Sequence, residues 1–236
     1  MKRTKDSNAT LVLSFSSFIL PLLPSITMSR TFGLIPAAGK SRRMGQPKLS
    51  LLWRGKTILE HAIAAMTQGG VSVVVVVVGP CETKLRMVAK EAGAEVLELI
   101  EPTVEMRDTI EQGLNWIEKR YQPSSDDGWL LLPADYPKLK KQVVEAILAA
   151  RQAEPTRSIV VPTFEDRRGH PVWIAWRHVA GIRQLPAGVG LNIYLREHAA
   201  EAYLLPVTSP SVITDLDTPE ELTALLQEPS ELRKRD

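Results

Sequence analysis

Short apolar runs alternate with segments of helical period along most of the chain, beginning at Phe32. The most apolar runs read FGLIP, VSVVVVVVG and WLLLPAD, and such runs are typical of strands buried on both faces. We expect Pro36 to end the first strand. The runs AEVLEL, SIVVPT and VWIAW predict three more. Strand–helix alternation of this kind indicates an α/β fold, a Rossmann-like three-layer sandwich with a mainly parallel mixed sheet.

Capping residues mark the ends of two predicted helices. Thr57 and Glu60 have the spacing of a capping box, and Gly69 follows the last turn of the helix that this box begins. A second capping box, formed by Thr218 and Glu221, predicts a helix near the carboxyl terminus.

The composition is that of an ordinary globular protein. The 236 residues include 29 basic and 27 acidic side chains, for a net charge of +2. A balance this even gives no global attraction to nucleic acid or to a membrane surface, so anion binding must depend on a local concentration of charge. The single cysteine, Cys81, excludes an internal disulfide bond and a cysteine-cluster metal site, and we expect a cytoplasmic protein.

Residues 1–28 differ in character from the rest of the chain. Three cations near the start precede the apolar run LVLSFSSFILPLLP, a pattern that resembles a signal peptide and is too short to span a bilayer. No A-x-A-like cleavage site follows the run. We favour the alternative, in which translation starts at Met28 and residues 29–236 form a single domain.

The segment PAAGKSRRMGQPK, which follows the first strand, combines small residues with positive charge. The small residues expose consecutive backbone N–H groups, which suits a backbone that wraps around phosphate oxygens. Guanidinium groups match phosphate oxygens in pairs. The small residues are Ala37, Ala38, Gly39, Ser41 and Gly45, and the cations are Lys40, Arg42, Arg43 and Lys48. The spacing fits neither a Walker loop nor the dinucleotide fingerprint, and composition alone leaves a solvated basic turn as the alternative.

Carboxylates mark two other places along the chain. Asp135 ends the run WLLLPAD. Ligands of such sheets bind outside the carboxyl ends of the strands, so we expect a site between Asp135 and the loop after the first strand. The alternative role for Asp135 is to cap the next helix. Asp215 and Asp217 alternate in the sequence DLDT, and on a strand their side chains would point to the same side.

The order of residues in four blocks is more specific than their composition. The blocks are PAAGKSRRMGQPK, LLLPADYPKL, RRGHPVWI and ITDLDTPEEL, spread from about Phe32 to Leu222. Together they closely resemble nucleotidyltransferases of the molybdenum cofactor guanylyltransferase-like superfamily, in particular its molybdenum cofactor cytidylyltransferases. The resemblance implies one nucleotidyltransferase domain over residues 29–236, which transfers a nucleoside monophosphate from a nucleoside triphosphate to a phosphorylated acceptor and releases pyrophosphate.

The resemblance also implies roles for residues of the first block. In related enzymes the glycine-rich loop holds the triphosphate, and an arginine and a lysine neutralise charge at the α-phosphate. The matching nucleotide-binding positions are Ala37, Ala38, Gly39, Lys40, Ser41, Arg43 and Lys48, of which Arg43 and Lys48 are also catalytic. Cytidylyl members carry alanine at the position of Ala38 and guanylyl members carry glycine. A methyl group crowds a purine more than a pyrimidine, which favours CTP by about 1–3 kcal/mol.

The other blocks imply a metal site and an acceptor site. Asp135 matches a catalytic family aspartate that binds Mg²⁺, and Asp215 and Asp217 are the candidates for a second ligand. The segment that matches the acceptor loop of the family consists of Arg168, Gly169, His170 and Pro171. The implied acceptor is a molybdopterin-type molybdenum cofactor, with a molybdenum hydroxylase as client of the product.

One segment departs from the family pattern. The better-known cytidylyltransferases carry G-M-S-S-S before a central helix, where this chain reads VEMRDTIEQGL, with Met106, Arg107, Asp108 and Thr109. Arg107 has two interpretations, a phosphate contact or an ion pair with Asp108. The departure leaves open another acceptor, such as a sugar phosphate or methylerythritol phosphate. From a different class, a non-catalytic chaperone for the molybdenum cofactor is also an alternative.

Overall fold

The computed structural model describes residues 29–39 and 47–227, so the predicted leader, residues 1–28, lies outside the described part of the chain. The strands are β1 (Thr31–Ala37), β2 (Leu52–Trp53), β3 (Lys56–Thr57), β4 (Val73–Val78), β5 (Glu95–Glu98), β6 (Gly128–Leu131), β7 (Ile159–Phe164), β8 (Arg167–Arg168), β9 (Val172–Ala175) and β10 (Ala202–Pro206). The helices are α1 (Ile58–Gln68), α2 (Thr83–Glu91), α3 (Met106–Tyr121), α4 (Lys141–Ala153), α5 (Val179–Arg183), α6 (Leu191–Glu197) and α7 (Pro219–Gln227).

The main sheet is mixed and mostly parallel, as the sequence predicts. Its strands lie in the order β5–β4–β1–β6–β9–β7–β10. Strand β9 is antiparallel to both of its neighbours, and the other neighbours along this path are parallel. β8 forms a hairpin with β7, and β2 pairs with β3 in a separate small sheet. The reversal of β9 places its first residue at the edge where the parallel strands end.

Alternate residues of each strand enter cores on opposite faces of the sheet. In β1, Leu34 packs in the core formed with α3, α5 and α6, whereas Ile35 packs in the core formed with α1, α2, α4 and α7. The polyvaline strand β4 divides in the same way, with Val77 in the first core and Val76 in the second. Helices therefore cover both faces, and the predicted three-layer sandwich is confirmed.

Both predicted capping boxes are present. The Thr57 hydroxyl accepts a hydrogen bond from the Glu60 backbone at 3.2 Å, and the Glu60 carboxylate accepts one from the Thr57 backbone at 2.6 Å. Thr218 and Glu221 exchange the same pair of bonds at 3.2 and 2.9 Å. The first helix ends at its predicted cap, Gly69. Within the described residues, no helix is long and apolar enough to cross a membrane.

The prediction that Pro36 ends the first strand is wrong. Strand β1 continues to Ala37, and Pro36 pairs in register with Val77 of β4. Pairing with β6 stops earlier, at Leu34 opposite Leu131. Beyond that point β1 has a strand on one side only, where the missing N–H of a proline is tolerated.

A tight contact between β6 and β9 gives the first testable prediction. A Cβ atom added at Gly128 would lie 2.3 Å from Cζ2 of Trp173, which is buried. We expect Gly128→Ala to lower the free energy of unfolding by about 1–3 kcal/mol, measured by urea denaturation. Trp173→Leu removes the indole atoms that the methyl group would meet, so Gly128→Ala should cost less in that background. Equal costs in the two backgrounds would contradict the packing argument.

Candidate active site

A cleft opens at the carboxyl ends of β1 and β6. The end of β1 contributes Ala37, Ala38 and Gly39, and the turn after β6 contributes Asp135 and Tyr136. The remaining lining residues come from four other segments of the chain. They include Lys48, Leu49, Pro102, Thr103, Val104, Glu105, Met106, Thr109, His170, Asp215 and Asp217. The cleft therefore brings together residues from all four sequence blocks.

The side chain of Lys48 lies at the centre of a charged cluster in this cleft. Its ammonium group donates hydrogen bonds to Asp135 Oδ2 at 2.7 Å, to Asp217 Oδ1 at 3.1 Å and to the Leu216 backbone carbonyl at 2.6 Å. Burial alone would lower the pKa of Lys48. The hydrogen bonds and charges of the two carboxylates more than offset it, so the pKa lies above its ordinary value. The lysine is therefore a permanent cation between two carboxylates.

The cluster fits a hard divalent cation. Asp135 Oδ1 is buried and has no hydrogen-bond partner among the described residues, while Oδ2 of the same carboxylate faces Lys48. Carboxylate oxygens are the protein ligands that Mg²⁺ prefers, and it usually takes one or two of them together with phosphate oxygens. The Asp135 carboxylate thus presents one oxygen to the lysine and has the other left for a ligand.

Asp135 does not cap the following helix, so that alternative is excluded. Helix α4 begins at Lys141 with Lys140 as its N-cap, and Asp135 lies in the turn that precedes them. Its closest charged partner is Lys48, far away in sequence.

The DLDT segment is not a strand, contrary to the prediction. Residues 214–217 are irregular, because they form the short link between a 3-10 turn, Pro210–Ile213, and helix α7. Leu216 is buried between the two aspartates, and both aspartates line the cleft. Asp217 pairs with Lys48. Asp215 is more exposed, and its pKa is raised by partial burial and then by the negative charges of Asp217 and Asp135.

The predicted nucleotide loop is described only in part. Ala37, Ala38 and Gly39 line the cleft, and a Cβ atom at Gly39 would have no described atom within 4 Å. This end of the loop therefore presents open backbone to the cleft. The other predicted nucleotide-binding residues, apart from Lys48, lie outside the described residues; they are Lys40, Ser41 and Arg43.

The predicted acceptor segment runs from β8 to the start of β9. Gly169 is needed here for space, because a Cβ atom would lie 2.3 Å from the Val212 carbonyl oxygen. Arg168 is exposed on β8, and Pro171 follows a cis peptide bond. The His170 ring lies edge-on to Tyr136, with ring centroids 5.5 Å apart. The segment therefore meets the cleft through His170.

His170 is unsuited to act as a base that is half protonated near neutral pH. Burial lowers the pKa of the His170 imidazole, despite a hydrogen bond with the Leu131 backbone and the negative charge of Asp135. Its Nδ1 atom is buried without a partner among the described residues. A neutral ring with one unused nitrogen is able to take one hydrogen bond from a ligand.

A second cavity of about 450 Å³ adjoins the cleft. The two share Glu105, Met106, Pro133 and His170. The walls of the second cavity are mostly apolar, with guanidinium groups on two sides. They are formed by Arg107, Ile110, Leu131, Val161, Arg168, Gly169, Val172, Gly190, Leu191, Asn192, Leu195 and Arg196. Arg168, Gly169 and His170 therefore belong to this cavity, whereas Lys48 and the three aspartates belong to the cleft.

In the segment that departs from the family pattern, Arg107 has partners that the sequence does not predict. Arg107 and Asp108 do not form the pair considered there. The Asp108 carboxylate accepts a hydrogen bond from the Glu105 backbone and caps α3, and Arg107 binds backbone carbonyls of a distant turn. The hydroxyl groups of Thr103 and Thr109 lie 2.6 Å apart in the cleft. Threonine hydroxyls thus occur near the place where related enzymes carry serine.

A second polar cluster lies at the opposite edge of the sheet, before β7 and β10. His178, His198 and Glu201 are close enough together to share an ion. Both ring nitrogens of His178 are already in hydrogen bonds, to Ser158 at 2.7 Å and to Tyr194 at 2.9 Å. A satisfied buried network of this kind explains the burial of His178 without a ligand.

Comparison with known proteins assigns the family. Residues 33–202 match the MobA-like NTP transferase domain. The chain belongs to this family. It is a nucleotidyltransferase of the MobA-like type, in agreement with the resemblance of the four sequence blocks.

Proteins with similar sequences are named for different activities. Nicotine blue oxidoreductase from Paenarthrobacter nicotinovorans is 27% identical over 214 residues, covering 86% of this chain and 98% of that protein. A probable molybdenum cofactor guanylyltransferase from Bacillus cereus (strain G9842) is 24% identical over 151 residues, covering 64% of this chain and 70% of the relative. Proteins similar to this chain therefore carry names of different activities.

Solved structures share the fold at lower identity. Rv0371c from Mycobacterium tuberculosis H37Rv has a TM-score of 0.70 and 21% identity, covering 86% of this chain and all of that chain. A CMP:2-keto-3-deoxy-manno-octonic acid synthetase complexed with CTP has a TM-score of 0.66 and 16% identity, covering 84% and 97%. These likenesses establish the nucleotidyltransferase fold for the MobA-like chain.

The raised pKa of Asp215 gives a prediction on stability. The folded state binds a proton at Asp215 more tightly than the unfolded state, so its ionisation destabilises the fold as pH rises above the ordinary value of 3.8. We expect Asp215→Asn to raise the free energy of unfolding at pH 7 by about 0.5 kcal/mol, since water screens an exposed carboxylate. The gain should vanish below about pH 4. The measurement is urea denaturation across this range, with Asp126→Asn, in an exposed loop, as the control. A gain independent of pH would contradict the assignment.

Proposed function

We propose that the chain transfers CMP from CTP to a molybdopterin-type molybdenum cofactor, in a reaction that depends on Mg²⁺ and releases pyrophosphate. The observation that carries this proposal is the cluster of Lys48, Asp135 and Asp217, which lies beside the exposed backbone of Ala38 and Gly39. A fixed cation next to carboxylates, at the end of a strand that leads into a glycine-rich loop, suits the binding of a triphosphate with its metal.

The reaction needs charge neutralisation more than it needs a strong base. An oxygen of the acceptor phosphate attacks the α-phosphorus of CTP, a P–O bond forms, and the bond to the bridging oxygen breaks as pyrophosphate leaves. Lys48 would stabilise the negative charge that spreads over the phosphate oxygens, because its ammonium group is already held in the cleft. The resemblance to the family implies the same role for Arg43. Asp135, with Asp217 or Asp215, would hold the Mg²⁺, which supplies further positive charge to these oxygens.

The preference for CTP rests on Ala38. This residue lines the cleft at the end of β1 and packs beside Gly79, the residue after β4. A methyl group at this position narrows the space for a base, and a pyrimidine needs less space than a purine.

The acceptor site that we propose is the second cavity. Its mostly apolar walls suit the flat ring system of a pterin, and Arg168 carries the charge that an anionic group of the acceptor needs. His170 lines both the cavity and the cleft, so an acceptor held there would have its phosphate directed towards the nucleotide. Several relatives are named molybdenum cofactor guanylyltransferases, which supports the cofactor as acceptor.

Three alternatives are distinguishable by experiment. Another phosphorylated acceptor, such as a sugar phosphate or methylerythritol phosphate, would give pyrophosphate release that molybdopterin does not stimulate. A chaperone for the molybdenum cofactor, delivering it to a molybdenum hydroxylase, would bind the cofactor without turnover. An oxidoreductase, as the relative from Paenarthrobacter nicotinovorans is named, would catalyse a redox reaction and release no pyrophosphate. The paired lysine and carboxylates favour nucleotidyl transfer over the last two alternatives, because neither a chaperone nor an oxidoreductase requires them.

Nucleotide specificity is the first test of the proposal. We expect CTP with Mg²⁺ to raise the melting temperature of the purified protein more than GTP, ATP or UTP does, because a ligand that binds only the folded state stabilises it. A shift that is larger with GTP would refute the argument from Ala38.

Ala38→Gly is the matched variant for this test. It removes one methyl group from the proposed base site and should shift the ratio of CTP to GTP affinity towards GTP by about 10-fold or more. The ratio is measured by titrating each nucleotide at fixed Mg²⁺. An unchanged ratio would mean that specificity lies elsewhere.

Asp135→Asn tests the proposed metal site. It keeps the size of the side chain and removes the charge, so pyrophosphate release should fall by about 100-fold or more. The melting temperature without ligands should change little, because Lys48 retains Asp217 and the Leu216 carbonyl. Activity close to that of the unaltered protein would contradict the role of Asp135. The control is Asp126→Asn, which should leave turnover unchanged.

A further inference from the structure

The guanidinium group of Arg107 holds an exposed turn on the far side of the second cavity. Its Nη1 atom donates to the backbone carbonyls of Leu185 at 3.2 Å, Pro186 at 2.6 Å and Val189 at 3.0 Å. Its Nε atom lies 3.2 Å from the carboxylate of Glu111, one helical turn along α3. The side chain is only 12% exposed. A charged group that is this enclosed and has these partners is fixed in position.

The turn itself has little else to hold it. Residues 186–188 are exposed, and Gly188 has a positive φ of 78°, with no described atom within 4 Å of the place where a Cβ atom would lie. Within the turn, the Val189 N–H donates to the Pro186 carbonyl at 3.2 Å. Side-chain packing contributes through the partly buried Leu185. Three hydrogen bonds from one cation are therefore a large share of what fixes this segment.

The turn leads directly into one wall of the second cavity. Gly190 is the N-cap of α6, and Leu191, Asn192, Leu195 and Arg196 of this helix line the cavity. The opposite wall is formed by the rigid strands β6, β7 and β9. The turn therefore helps to set how far the start of α6 stands from the sheet, together with the core packing of Leu191 and Tyr194.

We propose that Arg107 is a positioning residue that fixes the turn at residues 185–190, and through it the α6 wall of the second cavity. This role explains why the chain has an arginine at position 107, in the segment where the enzymes that it resembles carry small hydroxyl side chains. The effect on substrate rests on the proposed function: the fixed wall holds the acceptor, so loss of Arg107 weakens acceptor binding and leaves nucleotide binding unchanged.

A second arginine supplies a matched control. Arg183, at the end of α5, donates from Nη2 to Asn115 and to Glu118 of α3, both at 2.8 Å. It also joins α3 to the α5–α6 region, but it touches no carbonyl of the turn and does not line the cavity. Any general effect of losing an arginine bridge to α3 should appear in Arg183→Gln as well.

The experiment compares Arg107→Gln, Arg107→Lys and Arg183→Gln in the full chain. Amide hydrogen exchange of peptides covering residues 184–197 should become about tenfold faster in Arg107→Gln, because the turn and the start of α6 open more often. Lysine keeps the charge and some of the bonds, so Arg107→Lys should be intermediate. Arg183→Gln should leave exchange in residues 185–190 unchanged. Unchanged exchange in Arg107→Gln, or the same increase in Arg183→Gln, would overturn the proposal.

Steady-state kinetics then test the consequence for the acceptor. With CTP and Mg²⁺ saturating, the KM for molybdopterin should rise about tenfold in Arg107→Gln, with kcat and the KM for CTP little changed. A raised KM without faster exchange would indicate that Arg107 touches the acceptor directly, and would overturn the positioning role. Faster exchange without any change in KM would also overturn it. If the unaltered protein does not use molybdopterin, the proposed function fails, and hydrogen exchange alone decides whether Arg107 fixes the wall.

Discussion

The ammonium group of Lys48 joins three distant parts of the chain at one point. It donates hydrogen bonds to the carboxylate of Asp135, 87 residues away, and to the carboxylate of Asp217, 169 residues away. A third bond goes to the backbone carbonyl of Leu216, the residue before Asp217. Two carboxylates brought this close would repel each other, and a buried cation between them offsets that repulsion. This one side chain therefore ties the DLDT segment to the turn after β6 at the cleft, in addition to the packing of Leu216, Leu222 and Leu225 in the core.

The strands and caps were predictable because each depends on a local rule. An apolar run such as VSVVVVVVG is stable only where both faces are buried, and a threonine followed by a glutamate three residues later caps a helix in any fold. The same rules misplaced the end of β1, since tolerance of Pro36 depends on which neighbouring strand has already ended. They also assigned a strand to DLDT, where the long-range bonds from Lys48 to Asp217 and to the Leu216 carbonyl, together with the burial of Leu216, oppose a regular strand.

The lysine and the carboxylates of the cleft were predictable from the sequence. The contacts around the second cavity were less predictable. The resemblance of the sequence blocks named Lys48, Asp135 and Asp217, and the rule that ligands bind outside the carboxyl ends of the strands predicted where Asp135 would lie. No local signal marks Arg107 as a ligand of carbonyls 78–82 residues away, since these contacts exist only after α3 and the α5–α6 region have packed. The pairing of Thr103 with Thr109 likewise depends on the bend before α3.

The direction of β9 separates the two halves of the site. Because β9 runs against its neighbours, it begins at the cleft edge, and the chain just before it forms the β7–β8 hairpin with Arg168, Gly169 and His170. The cleft is built mainly from the segments that follow β1 and β6, and the second cavity draws on the hairpin and on α6. The hairpin and α6 can therefore be varied in a library of variants without replacing Lys48 or Asp135, which lie on other segments of the chain.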